Sequence, residues 1–277
     1  MFLVNKELNV NFREKLNRAW STSRTPLCVG LDPILERMPV EFRQSERPVL
    51  AFNRFIVDLV GEQVAAFKPQ FAHHGALAAE DDLAETIAYI RARAPHALVI
   101  LDAKRGDIGS TAEMYAREAF ERYDADAVTV NPYMGDDTVL PFLGWPGRAA
   151  AVLCRTSNPD ADRFQTARSG GEPLFLAVAR RAEEVWSTKG DVMLVVGATA
   201  PGQLAAVRAV APGICILAPG FGEQGGAGEA VVVAGRRADG EGLFVSSSRK
   251  ILYAGGAKEI RQAVEDARAA LEVKLAA

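Results

Sequence analysis

The residues with the clearest chemical potential lie in one short run, Asp102-Ala103-Lys104-Arg105-Gly106-Asp107. Asp102 and Lys104 are two positions apart, so their side chains share one face if the preceding apolar strand continues through them. Lys68 closes another apolar run. Charges in a low-dielectric cleft are costly unless they are paired. The run is therefore either a structural salt-bridge network or a catalytic site, and so much charge at the end of an apolar strand favours the catalytic interpretation.

Short apolar runs alternate along the chain with longer amphipathic or Ala-rich stretches, and this alternation predicts repeated strand–helix units. Most of the runs are apolar at successive positions, as expected of parallel strands that are covered on both faces. The predicted strands are Leu27–Leu31, Val64–Pro69, Ala97–Asp102, Ala127–Asn131, Ala149–Arg155, Val192–Gly197, Ile214–Ala218 and Gly242–Ser246. The predicted helices are Val49–Gly61, Asp81–Ala94, Ser110–Tyr123, Glu172–Thr188, Pro201–Val210 and Ala257–Leu275, with weaker helical patterns at Asp136–Leu143 and Gly226–Gly235.

Eight such units in 277 residues predict one (β/α)8 TIM barrel, a single α/β domain over residues 1–277, because this fold needs about 250 residues. An open doubly wound sheet is the main alternative, although no GxGxxG motif follows the first strand. In a barrel, functional groups collect where the strands end. The polar residues near predicted strand ends are Asp32, Lys68, Asp102, Lys104, Asn131, Ser157, Gln224 and Arg249.

The composition is that of a globular protein with a large core, at 49% hydrophobic and 24% charged residues. A formal charge of −3 gives no reason to expect nucleic acid or an anionic membrane as a partner. No apolar run reaches the roughly 18 residues of a membrane span, and charged residues near the N-terminus are unlike a signal peptide. We therefore expect a cytoplasmic protein without nucleic-acid or membrane partners.

Neither the cysteines nor the adjacent histidines suggest a metal or redox site. Cys28, Cys154 and Cys215 are widely spaced in apolar stretches, which predicts buried, reduced thiols. His73 and His74 follow the second predicted strand, but two neighbouring histidines do not form a coordination set by themselves. The sequence thus signals no metal and no cofactor.

The run DAKRGDIGST at 102–111 resembles the DxKxxDI..T signature of orotidine 5′-phosphate decarboxylases, which use an alternating Lys–Asp–Lys–Asp array. The resemblance covers nearly the whole chain, and its other motifs are VGLDP at 29–33, FKPQ at 67–70, TSNP at 156–159, GAT at 197–199 and PGFGEQGG at 219–226. The chain length and the FKPQ motif resemble the bacterial subgroup that includes the mycobacterial enzymes. The resemblance implies decarboxylation of orotidine 5′-monophosphate (OMP) to UMP, without a cofactor, in a homodimer.

The resemblance also implies a role for each matching residue. Lys104 would protonate C6 of the pyrimidine, and Asp102 would sit against the substrate carboxylate and keep Lys104 charged. Lys68 and Asp32 would hydrogen-bond the ribose hydroxyls, and Ser157 would contact the pyrimidine. The family delivers three positions across the dimer interface into the partner's site, and these match Asp107, Ile108 and Thr111.

The phosphate is expected at the loops after the seventh and eighth strands, as is usual in barrels. Pro219 and Gly220 open a glycine-rich loop whose amides can approach an anion, and Gln224 matches a family glutamine that closes over the phosphate. Arg249 aligns with the family arginine, although the chain reads Ser-Ser-Ser-Arg at 246–249 where many members have Gly-Arg-Ser.

Two other functions fit parts of the pattern. A magnesium-dependent relative could act on a sugar phosphate through an enediolate, but Lys68 occupies a place where that chemistry would need a carboxylate ligand. A nucleotide-binding protein without catalysis would have no need of the complete set of two lysines and two aspartates.

Overall fold

Eight parallel strands close into a barrel in the computed structural model, which describes residues 10–222 and 228–272. Each strand pairs with its neighbours in the sequence, and the eighth pairs with the first, with Leu27 opposite Val245. We number the strands β1 (Leu27–Leu31), β2 (Ala66–Pro69), β3 (Leu98–Arg105), β4 (Ala127–Val130), β5 (Ala149–Arg155), β6 (Asp191–Val196), β7 (Cys215–Pro219) and β8 (Leu243–Ser247). A short antiparallel hairpin, Arg168–Ser169 with Glu172–Pro173, lies outside the barrel sheet.

Helices surround the barrel and connect consecutive strands. The α-helices are Phe12–Ser23, Val40–Arg43, Pro48–Val60, Phe71–Gly75, Glu80–Arg93, Gly109–Arg117, Asp136–Val139, Asp162–Gln165, Leu174–Glu184, Pro201–Val210, Gly228–Gly235, Arg249–Leu252 and Ala257–Leu271. A π-helical turn, Glu118–Arg122, extends the sixth of these. The 3-10 turns are Leu35–Arg37, Gly61–Gln63, Pro132–Met134, Leu140–Phe142, Pro159–Ala161 and Trp186–Thr188.

The closed barrel confirms the predicted fold class and excludes the open sheet. The predicted strand bounds agree within two residues except at β3, which runs on to Arg105 instead of ending at Asp102. The predicted helix Glu172–Thr188 is wrong at both ends. Glu172 and Pro173 pair in the hairpin, and the helix ends at Glu184 before a separate 3-10 turn. Residues 226–227 and 273–275 of the predicted helices lie outside the described residues.

The core has two layers, one inside the barrel and one between the strands and the helices. The N-terminal helix, which the sequence analysis missed, belongs to the inner layer and packs its buried face against inward-facing strand residues. Trp20 stacks on Phe244 with ring centroids 5.0 Å apart, and Lys15 pairs with the buried Asp126 at 2.8 Å. This helix closes the end of the barrel where the strands begin, and the polar residues described below lie at the opposite end.

Candidate active site

A buried carboxylate, Asp102, lies between two lysines at the carboxyl-terminal end of the barrel. Its Oδ2 accepts a hydrogen bond from Lys68 Nζ at 2.9 Å, and its Oδ1 accepts one from Lys104 Nζ at 2.7 Å. Lys68 is buried on β2, whereas the side chain of Lys104 is 50% exposed. The structure therefore brings together three of the charged residues that the sequence predicts as one cluster.

Two neutral donors, which the sequence analysis missed, complete the surroundings of Asp102. Gln70 Nε2 donates to Oδ2 at 2.9 Å, and Thr129 Oγ1 donates to Oδ1 at 2.9 Å. Gln70 could have been found, because it lies two positions after Lys68 and so on the same side of an extended chain. Thr129 could not have been found from the sequence, since only the pairing of β3 with β4 brings it to Asp102. Each carboxylate oxygen thus has two donors, which fixes its orientation.

The charges around Asp102 and Lys68 keep these two groups ionised. Burial alone would raise the pKa of Asp102, but the charges and hydrogen bonds of Lys68 and Lys104 outweigh it and place this pKa well below the usual range. Burial would likewise lower the pKa of Lys68, but the charges of Asp102 and Asp32 and the hydrogen bond to Asp102 raise it above that of a free lysine. The Asp102 carboxylate and the Lys68 ammonium therefore persist as an ion pair at neutral pH.

Lys104 reaches Asp102 through a backbone irregularity. Leu101 pairs with Val128 and Arg105 with Val130, so β3 bulges between these pairs. Within the bulge Lys104 has a φ of 46°, a left-handed conformation that costs a non-glycine residue about 1–3 kcal/mol. The hydroxyl of Thr129 accepts from the backbone N–H of Lys104 at 2.8 Å and holds this conformation. Backbone strain is thus located at the lysine that the resemblance assigns to proton transfer.

Asp32, after β1, presents a buried acceptor. Its Oδ2 accepts from Ser248 Oγ at 2.6 Å, whereas its Oδ1 is buried and has no hydrogen-bond partner among the described residues. The hydroxyl of Tyr253 donates to the backbone oxygen of Asp32 at 3.0 Å and accepts from the N–H of Ile34 at 2.7 Å, which holds this segment in place. A buried carboxylate oxygen without a donor is suited to bind a hydroxyl group of a ligand.

The ends of β5, β6 and β7 meet closely around Ser157. A Cβ atom on Gly197 would lie 2.9 Å from the Cβ of Ser157, so only glycine fits there. A Cβ on Gly220, whose φ is 94°, would lie 3.6 Å from the Oγ of Ser157. The backbone oxygen of Pro219 accepts from the N–H of Ala198 at 2.9 Å. Ser157, Pro219 and Gly220 therefore lie together at this end of the barrel.

The predicted phosphate-binding residues fall at the ends of β7 and β8. Arg249 is exposed and begins the short helix after β8, while Gln224 lies outside the described residues. Lys250, which the sequence analysis did not single out, packs against Gly222. Its Cδ lies 3.0 Å from the position that a Cβ of Gly222 would take.

Within residues 10–222 and 228–272, Asp107 makes no hydrogen bond or ion pair with the lysine–aspartate cluster of its own chain. Its Oδ1 accepts from the backbone N–H of Ile108 at 2.8 Å, and its backbone oxygen accepts from Thr138 Oγ1 at 3.0 Å. Ile108 is 52% exposed and Thr111 is exposed on the helix that follows. Ile108 and Thr111 therefore lie on the surface of the single chain, and Asp107 is half-buried beside them.

The histidines and cysteines are engaged in structural contacts. His73 Nδ1 lies 3.0 Å from the backbone oxygen of Pro33, and His74 is fully buried in a hydrogen-bonded network. The three cysteines are buried and free, as predicted. Over residues 10–222 and 228–272, no group of three or more His, Cys, Asp or Glu side chains could hold a metal ion. In the same ranges no helix is long and apolar enough to cross a membrane.

A closed barrel with a buried carboxylate between two lysines where its strands end is the arrangement of a barrel enzyme that acts through fixed charges. Residues 25–264 match the model of the orotidine 5′-phosphate decarboxylase / HUMPS family, and the chain belongs to this family.

Relatives cover nearly the whole chain. The orotidine 5′-phosphate decarboxylase of Janthinobacterium sp. (strain Marseille) is 48% identical over 265 residues, which are 96% of this chain and 97% of that protein. The one of Cellvibrio japonicus (strain Ueda107) is 50% identical over 256 residues, 92% and 94% of the two chains. The structure of Leishmania donovani OMP decarboxylase superposes with a TM-score of 0.82 at 37% identity over 95% and 97% of the two chains. The mycobacterial subgroup stays a prediction.

Proposed function

We propose that this protein decarboxylates OMP to UMP and carbon dioxide without a cofactor, in the cytoplasm, as a step of de novo pyrimidine biosynthesis. The observation that carries the proposal is the ionised Asp102 held between Lys68 and Lys104 by four donors. Relatives about half identical over more than nine-tenths of the chain are named orotidine 5′-phosphate decarboxylases, which supports the same substrate here.

The chemistry needs a cation next to one carbon atom. When the bond from C6 to the carboxylate breaks, carbon dioxide leaves and the electron pair remains on C6, where the ring delocalises it poorly. The ammonium of Lys104 stabilises this charge and then transfers a proton to C6, which yields UMP. Since half of the Lys104 side chain is exposed, solvent can return the proton to its amine. Atoms and charge balance with one proton taken from water.

The other residues bind and orient the substrate in this proposal. Asp102 keeps Lys104 charged and faces the substrate carboxylate, so that repulsion between the two carboxylates is relieved as carbon dioxide leaves. Asp32 offers its unpartnered Oδ1 to a ribose hydroxyl, and Lys68 donates to the same sugar. Ser157 contacts the pyrimidine. Pro219, Gly220, Gln224 and Arg249 hold the phosphate, whose binding energy closes the loop around Gln224 over the reacting carbon.

A spectrophotometric assay with OMP tests the reaction. We expect turnover by the wild type and a loss of about a thousandfold or more in Lys104→Ala, because both charge stabilisation and the proton donor are removed. Lys258→Ala, which removes an exposed lysine from the terminal helix, is the matched control and should retain full activity. Unchanged turnover in Lys104→Ala would refute its role. Loss of wild-type activity on dialysis against a chelator would instead favour the magnesium-dependent reaction on a sugar phosphate.

We further propose a homodimer in which Asp107, Ile108 and Thr111 enter the partner's site. Asp107 accepts hydrogen bonds from Ile108 in its own loop and from Thr138, away from the cluster. Large apolar side chains are exposed on this loop, on the helix after it and on the neighbouring segment 132–140, and they are Ile108, Met114, Tyr133, Met134 and Leu140. Tyr133 is 79% exposed in the single chain. An apolar surface of this kind beside a site is typical of a subunit interface.

A purified heterodimer of one Lys104→Ala subunit and one Asp107→Ala subunit tests the shared site. Both homodimers should be nearly inactive. If Asp107 acts in the partner's site, the heterodimer contains one fully native site out of two and should show about half of the wild-type activity. A heterodimer as inactive as its parents would show that each subunit uses its own Asp107.

A further inference from the structure

A chain of buried polar groups runs behind Asp102 into the layer of helices. The side chain of Gln70 donates to Asp102 Oδ2, and the backbone oxygen of Gln70 lies 2.9 Å from His74 Nδ1. His74 Nε2 lies 3.1 Å from Asn53 Nδ2, which also donates to Thr86 Oγ1 at 3.1 Å. Asn53, His74 and Thr86 are almost completely inaccessible to solvent. The proposed mechanism assigns no role to Asn53, His74 or Thr86.

The hydrogen-bond partners of His74 determine which of its two ring nitrogens carries the proton. The backbone oxygen of Gln70 can only accept, so His74 carries its proton on Nδ1 and donates it there. His74 Nε2 is then an acceptor, which matches the two donors that Asn53 offers to His74 and Thr86. Burial lowers the pKa of His74, so the ring is neutral at physiological pH. The contacts of His74 with Gln70 and Asn53 and of Asn53 with Thr86 are thus compatible with one direction of donation, and each restricts the side chains that it joins.

Gln70 connects this network of buried polar groups to the lysine–aspartate cluster, so the network can affect the position of Asp102. Its backbone oxygen also accepts from the N–H of His73 at 3.2 Å, and its backbone is paired beside Asp102 in an isolated bridge. Lys68 and Gln70 both donate to Oδ2 of Asp102. Lys68 supplies charge to this oxygen, whereas the planar amide of Gln70 adds a donor of fixed direction. The two together restrict rotation of the carboxylate, whose other oxygen holds Lys104.

We propose that Gln70 is a positioning residue, held in place by His74, which fixes the rotation of Asp102 and thereby the placement of the Lys104 ammonium. The inference rests on the proposed decarboxylation, since it assigns Gln70 an effect on proton transfer from Lys104. A purely structural role would be to join the helices Pro48–Val60 and Glu80–Arg93 through Asn53 and Thr86. Both roles predict a less stable protein when a substitution removes one of these hydrogen bonds. Only the positioning role also predicts a slower chemical step in the folded enzyme.

Two substitutions of Gln70 separate these roles. Gln70→Leu removes the donor, and we expect kcat to fall about tenfold to a hundredfold, as for the loss of a hydrogen bond to a charged group. KM should change less than about twofold, because Gln70 does not touch the substrate in this proposal. Gln70→Glu keeps the shape but places a second carboxyl beside Asp102. Its protonated form can still donate, whereas its ionised form repels Asp102, so we expect kcat to fall as the pH rises.

Other ionisable groups near residue 70 can also affect the pH dependence of kcat. These are Lys68, Lys104, Asp32, His73, His74 and Arg105, whose guanidinium lies over the ring of Phe71. All of them are present in both the wild type and Gln70→Glu. A falling limb that appears only in the variant therefore belongs to the introduced carboxyl. A Gln70→Glu enzyme with wild-type kcat at every pH would overturn the proposal.

Substitutions of His74 test the link to the helices. The amide of His74→Asn can replace the Nδ1–H donor, whereas His74→Leu cannot, so we expect His74→Asn to retain several-fold more kcat than His74→Leu. Thr86→Val is the matched control, because it removes a buried hydroxyl of the same network but leaves the contact between Asn53 and His74 intact. It should lower the melting temperature and leave kcat within about twofold of the wild type. Equal kcat values for all three variants, once corrected for folded fraction, would overturn the role of His74.

Crystal structures of the wild type and Gln70→Leu decide the positioning independently of the reaction. We expect the Asp102 carboxylate of the variant to rotate and its contact with Lys104 to lengthen. An unchanged Asp102, together with a kcat within twofold of the wild type, would overturn the proposal. Failure of the wild type to decarboxylate OMP would instead remove the proposed function, and the two crystal structures would still show whether Gln70 orients Asp102.

Discussion

Replacing Asp102 with Asn keeps the shape of the side chain and removes the charge between Lys68 and Lys104. Lys68 is buried and would lose the carboxylate that lies 2.9 Å from its ammonium. The amide NH2 of asparagine would also face a donor on whichever side it occupied, because both carboxylate oxygens accept from two donors. The substitution should therefore destabilise the fold as well as abolish catalysis.

The loss of stability in Asp102→Asn depends on which negative charges remain near Lys68. Breaking a buried ion pair by removing one partner costs about 3–5 kcal/mol. Asp32 still acts on Lys68 through its charge, which places the expected loss near the lower end, about 3 kcal/mol. For a domain of this size that loss corresponds to a fall of about 6–10 °C in the melting temperature.

The difference in stability between wild type and Asp102→Asn should depend on pH in a defined way. The lowered pKa of Asp102 contributes stability above its unfolded value of about 3.9, and this contribution is lost as the pH falls through the folded pKa. The raised pKa of Lys68 contributes stability below about 10.4, and this is lost as the pH rises through the folded value. The difference should therefore be largest between about pH 5 and 9 and shrink on either side.

Urea unfolding at several pH values and one protein concentration measures this difference. Asp81→Asn is a suitable control, because the side chain of Asp81 is 94% exposed and its contact with Arg122 is a surface pair. We expect the control to lose less than about 1 kcal/mol at every pH, because among the described residues Asp81 otherwise interacts only with the N-terminal end of the helix Glu80–Arg93. The reasoning would be refuted by an Asp102→Asn variant as stable as the wild type at pH 7, or by a deficit that stays constant from pH 3 to 10.

Three further outcomes are expected. Ser248→Ala removes the 2.6 Å donor to Asp32, and steady-state kinetics should show KM for OMP raised about fivefold to tenfold with a smaller change in kcat. Lys15→Met removes one of the charged partners of the buried Asp126 and loosens the N-terminal helix, so calorimetry should show a loss of about 1–3 kcal/mol with kcat unchanged. Burial raises the pKa of each of the three cysteine thiols to about 12, so a disulfide reagent at pH 8 should react only in denaturant; rapid reaction of the native protein would contradict this burial.

The sequence by itself was sufficient for the fold class and for the location of the charged cluster. Apolar runs of strand length, alternating with helical patterns, predict the barrel because both signals are local. The rule that polar groups gather where barrel strands end then brings Lys68 and Asp102 together without any knowledge of distances. The sequence pattern did not reveal the helix Phe12–Ser23, because this helix lies before the first strand and outside the repeated strand–helix units.

Only the tertiary structure decided how Asp102 is held. Thr129 is 27 residues from it in the sequence and Gln70 is 32 residues away, and strand pairing and a single bridge bring both within 2.9 Å. The bulge that gives Lys104 its left-handed backbone depends equally on the pairing of β3 with β4. Residue types and local periodicity determine which groups are available, but hydrogen bonds between distant segments depend on strand register. Register is set by the packing of the whole barrel, and so the orientation of the Asp102 carboxylate cannot be predicted from the sequence alone.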